Sequence, residues 1–253
     1  MMRYIRLARN VSNWWLHFFV KFGLSRKDPL LFELPNHIVL EVPVQLLHEF
    51  KEIYMEECYT AGLKLRLEAD SNIVDIGANG GFFSLFAASR FRNPRVLSFE
   101  PVPANFELLQ RNRDLNRHVR MECLQMAVCG RSGTVPLRFN PGVKHPTDGK
   151  ICHDAAYGPA TVVVPATTLA QILDDYGLER CHLLKMDCEG AEYEILYSCA
   201  ADYLERIDRM AIEVHASEEA DHNITSLAAF LEGRGFKTDR KRKAEGMLYA
   251  WQE

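Results

Sequence analysis

Residues 71–84 read SNIVDIGANGGFFS, and this stretch decides the fold. Ile73, Val74 and Ile76 make an apolar strand that carries Asp75 near its end. Gly77, Ala78, Asn79, Gly80 and Gly81 form a turn, and Phe82 and Phe83 open an apolar helix. A glycine-rich turn at the carboxyl end of a strand lets the backbone approach a ligand closely, because no Cβ intrudes.

The next acidic strand end narrows the ligand. Residues 95–101, RVLSFEP, read as a second strand, and Glu100 lies 23 residues after Gly77, where α/β nucleotide folds place a carboxylate to accept ribose hydroxyls. A dinucleotide needs glycines at the second and third positions of G-x-G-x-x-G to admit its pyrophosphate, but Asn79 and Phe82 stand there. No P-loop lysine follows. A nucleoside without phosphates, S-adenosylmethionine, fits these residues better than NAD or ATP.

Four phrases occur in order at βα spacing: VDIGANGG (74–81), FEP (99–101) with Asn105, LKMDCEGAE (184–192) and IEVH (212–215). Together they resemble the FkbM-type S-adenosylmethionine-dependent methyltransferases over residues 71 to about 215. The resemblance implies that Asp75, Gly77, Asn79 and Gly81 surround the methionyl and ribose parts of the cofactor. It further implies that Glu100, followed by Pro101, grips the ribose, and that Gln125 and Ala127 flank the adenine on either side of Met126. It also implies O-methylation of a hydroxyl on a sugar, glycan or secondary metabolite. N-methylation of a small amine is the alternative enzyme reading; a non-catalytic adenosine-binding or membrane-adaptor protein is the alternative from another class.

The alternation of patterns specifies a Rossmann-like α/β domain with a doubly wound, mostly parallel sheet. Strands are expected at 73–76, 95–100, 120–126, 181–187 and 207–214, and helices near 80–91, 102–116, 167–176, 189–204 and 223–233. Segments 235–240 and 246–251 read as a C-terminal antiparallel hairpin turned by Lys241 to Glu245. The methyltransferase domain is thus read as 71–253. Residues 1–70 form an extension: a helix over 3–22, a hairpin at 30–34 and 38–42 around Pro35-Asn36-His37, and a helix over 44–61.

Charge is unevenly spread. The first 27 residues hold Arg3, Arg6, Arg9, Lys21, Arg26, Lys27 and no acid, so they carry +6 within a chain of net charge −4. At helical spacing Tyr4, Ala8, Val11, Trp15, Phe18 and Phe22 share one face. The apolar run is too short to span a bilayer and lacks the small-residue cleavage site of a signal peptide. Two readings stay open for residues 3–22: docking or dimerisation, and peripheral membrane contact. The acidic balance excludes a nucleic-acid binder that works by broad phosphate neutralisation. Seven scattered cysteines without C-x-x-C pairs point to a reducing, cytoplasmic setting.

Ligands of open α/β sheets sit beyond the carboxyl ends of the strands. Two groups there are candidates for removing an acceptor proton: Asp187, which also suits a helix cap, and His215, whose type titrates nearest neutral pH but which also suits a structural role at a strand end. His215 is expected to act as base. Asp187, Glu213 and His215 could also ligate a divalent ion, but their spacing is not diagnostic and no metal is expected. Residues 141–160, rich in glycine and proline, have two open readings: His145, Asp148, His153, Asp154 and Tyr157 meet a small-molecule or glycan acceptor, or the segment is a flexible surface loop with no acceptor role.

Overall fold

The computed structural model describes residues 2–24, 26–63, 65, 67–152, 161–215, 217, 219–240 and 246–252. His153, Asp154, Tyr157 and the turn Lys241 to Glu245 lie outside the described residues.

The N-terminal segment forms two helices, α1 (Met2–Asn10) and α2 (Trp15–Lys21), not the single helix expected over 3–22. Side chains that compete for backbone partners break it. Asn10 Nδ2 donates to Tyr54 O and Glu57 Oε1, at 3.0 and 2.8 Å. Asn13 donates to Leu31 O and accepts from Glu33 N, which adds it to a strand edge. The inward face is consequently Leu7, Asn10 and Val11, while Trp15 and Phe22 remain exposed.

The hairpin of β1 (Leu30–Leu34) and β2 (Ile38–Val42) forms as expected, with Leu30 opposite Val42 and Leu34 opposite Ile38. Leu30, Phe32 and Leu34 point inward by the two-residue period of a strand. The helix expected over 44–61 is α3 (Leu47–Lys51) followed by a π turn, Glu52–Glu56. It stops at Glu57, whose φ of 56° is left-handed and whose carboxylate is claimed by Arg6, Arg9 and Asn10.

From residue 72 strands and helices alternate: β3 (Asn72–Ile76), α4 (Phe82–Arg90), β4 (Arg95–Phe99), α5 (Pro103–Asp114) and β5 (Met121–Leu124). Next come β6 (Ala127–Val128), β7 (Gly133–Arg138), β8 (Lys150–Ile151), β9 (Thr161–Thr167) and α6 (Leu169–Asp175). The chain ends with β10 (Leu183–Met186), α7 (Glu192–Ser198), α8 (Ala201–Leu204), β11 (Arg209–Glu213), α9 (Ile224–Glu232), β12 (Lys237–Arg240) and β13 (Met247–Trp251). The main sheet has the order β12-β13-β11-β10-β3-β4-β5, in which β13 runs antiparallel to both neighbours and the other pairs shown are parallel.

Alternate residues of each strand face opposite cores. Ile73, Val96, Leu183 and Ala211 join α4, the hairpin and α1 on one side. Val74, Leu97, Leu184 and Ile212 join α6, α7 and α9 on the other. Leu7, Val11, Phe32, Leu40 and Phe50 therefore share one core with that face of the sheet. No described helix is long and apolar enough to cross a membrane.

A second sheet, β6-β9-β7-β8, went unforeseen. Pro136 and Pro165 interrupt its two longest strands, and a proline inside a run argues against a strand. The strand expected over 120–126 ends early, at Leu124. Met121–Leu124 stays in the main sheet, and Ala127–Val128 pairs with Ala166 and Thr167.

Candidate active site

A cavity of about 260 Å³ opens at the carboxyl ends of β3, β4, β10 and β11. Gly77, Asn79, Glu100, Pro101, Ala127 and Asp187 line it, together with Glu49, Glu52, Glu189 and Glu213. Segment 141–152 closes one side with Pro146, Thr147, Gly149 and Ile151.

The glycine turn is shaped as much by its protein neighbours as by a ligand. Gly77 has φ of 73°, and a Cβ there would stand 1.7 Å from the carbonyl oxygen of Asp187. Gly81, at φ 81°, begins α4, and a Cβ there would meet Leu109; it does not line the cavity. Asp75 is fully buried beneath the turn and does not reach the cavity either. It lies beside Lys185 in the parallel register of β3 and β10. Lys185 Nζ is 3.2 Å from Asp75 Oδ1, Ser84 donates to Asp75 Oδ2 at 2.6 Å, and Ser84 and Ser98 share a hydrogen bond. Lys185 also donates to the carbonyl oxygen of Gly77 at 2.7 Å. Burial lowers the Lys185 pKa, but the charges of Asp75 and Asp187 outweigh it and keep the ammonium form well above ordinary lysine. Asp75 thus anchors the turn from beneath, through Lys185 and Ser84.

Glu100 sits at the cavity wall, 4% exposed. Its Oε2 accepts from Asn79 N and its Oε1 from Val102 N, each at 2.8 Å. Burial raises its pKa to about 7 against the pull of those two N–H groups. Gln125, by contrast, is exposed and outside the cavity, where Met126, Ala127 and Val128 take its expected place.

Five carboxylates crowd the opposite wall. Tyr59, almost wholly buried, places its hydroxyl 2.8 Å from both Asp187 Oδ2 and Glu213 Oε2. One hydroxyl has one proton to donate, so it satisfies only one of the two carboxylates at a time, and their mutual repulsion disfavours ionising both. Burial, followed by the charge of Asp187, raises the pKa of Glu213 accordingly. On the helix side, burial raises Glu52 to about 7; His48 opposes this, and the charges of Glu213, Glu49 and Asp187 add to it.

His215 does not line the cavity. Its Nδ1 is 3.0 Å from Oε1 of the fully buried Glu192, and its Nε2 is 3.7 Å from Glu189 Oε1 and 4.0 Å from Asp187 Oδ1. Burial lowers its pKa, but Glu192, Glu189 and Asp187 lift it to about 9. An imidazolium at neutral pH has no lone pair to take a proton, and among the described residues the carboxylates that line the cavity are better placed for that role. Ligand atoms of Asp187, Glu213 and His215 lie within 4.8 Å of one another, a set that a divalent ion could use. His145 is buried with both ring nitrogens unpartnered and does not line the cavity, and Asp148 is exposed.

Glu49, Glu52 and Tyr59 were missed as site residues, and Glu213 was considered only as a ligand. One signal was present: Glu49 and Glu52, three residues apart in the helical segment Leu47–Glu56, fall on one face at helical spacing.

The cavity suits an adenosyl group. Phe99, Val102, Val128, Leu137 and Ile151 supply an apolar wall. Glu100 supplies the carboxylate, and Asn105, whose buried Oδ1 has no hydrogen-bond partner, is among the lining residues.

The sequence profile of the methyltransferase FkbM domain matches residues 75–238. Methyltransferase sdnD of Sordaria araneosa is 30% identical over 220 residues, covering 76% of this chain and 83% of that protein. 31-O-demethyl-FK506 methyltransferase FkbM of Streptomyces tacrolimicus is 28% identical over 214 residues, covering 74% and 80%. A crystal structure of methyltransferase FkbM from Methylobacillus flagellatus superposes with a TM-score of 0.46 at 18% identity, covering 82% of this chain and 54% of that one.

Proposed function

The chain belongs to the FkbM family of S-adenosylmethionine-dependent methyltransferases, and on that premise we propose that it methylates a hydroxyl oxygen of a sugar, glycan or secondary metabolite. S-adenosylmethionine, when bound, supplies a sulfonium methyl group that is already a good electrophile. Gly77, Asn79 and Glu100 would hold its methionyl and ribose parts, and Phe99, Val102 and Ala127 its adenine.

The protein's remaining tasks are positioning and proton removal. The observation that carries the reading is the Tyr59-bridged pair of Asp187 and Glu213 facing the cavity. An alcohol is a poor nucleophile at neutral pH, and a base works best when its pKa lies near the working pH. Glu213, with its raised pKa, takes the hydroxyl proton. Asp187, held by Tyr59 and 3.7 Å from Lys185, orients the hydroxyl. His215 fixes the loop that carries Glu189 and Glu192 and offsets part of the acidic charge. The name of the Streptomyces relative, which refers to an oxygen position, supports the same reaction type.

A second reading rests on the five carboxylates at the wall, which would attract a cationic amine and favour N-methylation. The test is product analysis with mixed hydroxyl and amine acceptors: a methyl ether whose formation falls in Glu213→Gln supports oxygen transfer. Methylamines as sole products would replace it with the second reading.

A further inference from the structure

A second cavity, of about 280 Å³, lies between α1, α2 and α3, away from the cofactor. Arg3, Lys21 and Lys51 line it, with Tyr4, His17 and one acid, Glu56. Arg3 and Lys21 both donate to the Tyr4 hydroxyl, at 3.2 and 3.5 Å, which draws the two cations together. His17 is 8% exposed, and its Nδ1 has no hydrogen-bond partner. Burial and the charges of Lys51, Lys21 and Arg3 keep His17 neutral and mark a positive field. An anion that accepts hydrogen bonds would complement these donors and this charge.

The surface around it is apolar to a degree found nowhere else among the described residues. Met2, Ile5, Trp15, Phe19, Phe22 and Leu24 are each 45% exposed or more, all within one short segment. Exposed tryptophan and phenylalanine beside clustered Lys and Arg are what an interfacial helix presents to an anionic bilayer. No acid occurs in the first 27 residues, so nothing in that segment opposes the attraction.

We propose that this pocket receives the phosphate of an anionic phospholipid while the aromatic residues of α2 enter the bilayer interface, docking the enzyme on a lipid surface. The same helical segment serves both cavities: Leu47, Lys51 and Met55 face the basic pocket, and His48, Glu49 and Glu52 line the cofactor cavity. Docking therefore brings the catalytic cavity within about one helix diameter, ~10 Å, of the headgroup site.

The full-length chain is tested by co-sedimentation with phosphatidylcholine vesicles, with and without phosphatidylglycerol, and by the emission shift of its tryptophans. Binding is expected only with the anionic lipid, weakening as salt rises. Arg3→Glu with Lys21→Glu should reduce it about tenfold or more, from two charge reversals. Trp15→Asp, at a half-exposed position, should reduce the emission shift. All variants should keep wild-type affinity for S-adenosylhomocysteine, which reports an intact fold. Equal binding to neutral vesicles, or no binding to either, overturns the proposal. So does a dimer that buries the tryptophans without vesicle binding, which would make a second copy the occupant. Saturable binding of inorganic phosphate without vesicle binding would overturn the lipid source.

Discussion

Glu100 links cofactor affinity to pH in a way that can be calculated. A carboxyl with a pKa of about 7 is ionised in roughly one molecule in ten at pH 6 and nine in ten at pH 8. If the ribose hydroxyls donate only to the ionised form, affinity should tighten about eight- to tenfold over that interval. The sign for the ligand-free fold is the reverse. Because the folded pKa is raised, the contribution of Glu100 is fully present below its unfolded value near 4.5 and lost as pH rises through about 7. Glu100→Gln removes the titration and the charge together. Loss of one charge-assisted hydrogen bond, about 1.5–3 kcal/mol, corresponds to about a ten- to 150-fold weaker complex. The amide nitrogen of glutamine also cannot accept from Asn79 N or Val102 N, so one of these donors loses its partner. Calorimetry with S-adenosylhomocysteine at pH 6, 7 and 8 and constant ionic strength measures both effects. Taking wild type relative to Glu100→Gln at each pH cancels the ionisation of the ligand's own amine. Glu52 titrates over the same range, so Glu52→Gln is the necessary control. A slope that survives in Glu100→Gln and disappears in Glu52→Gln would refute the reasoning.

The remaining predictions concern the anchor and the acid wall. Asp75→Ala leaves the buried Lys185 ammonium without its main partner and should lower stability by about 3–5 kcal/mol in denaturant titrations; near-wild-type stability would contradict the anchor role. Gly77→Ala meets the Asp187 carbonyl oxygen at a positive φ and should abolish cofactor binding, as read by loss of ligand-induced thermal stabilisation. Glu213→Gln and Asp187→Asn should each lower kcat by about 10²- to 10⁴-fold with little change in S-adenosylhomocysteine affinity. The wild-type kcat should rise with pH through a midpoint above the ordinary carboxylate range, because the Glu213 pKa is raised and only its ionised form accepts a proton. Chelation should leave turnover unchanged, since the proton held by His215 to about pH 9 opposes metal binding; abolished activity would assign Asp187, Glu213 and His215 to an ion.

The sequence by itself determined the alternation of β and α elements, the hairpins at 30–42 and 237–251, the glycine turn, and the presence of carboxylates at strand ends. These features are local: a two- or 3.6-residue period and turn chemistry are written within a dozen residues. The tertiary structure decided which of those groups face the cavity. Asp75 and Glu100 read alike as acids ending or nearly ending a strand, yet the pleat turns Asp75 toward Lys185 and leaves Glu100 at the wall. Asn10 and Asn13 stop a helix that periodicity would continue, because their partners belong to residues far along the chain. Tyr59 meets Asp187 and Glu213 across 128 and 154 residues. His215 becomes an imidazolium because three carboxylates between the end of β10 and the start of α7 surround it. No local pattern encodes such encounters, since both the desolvation and the charges that set these pKa values come from segments brought together only by the folded sheet.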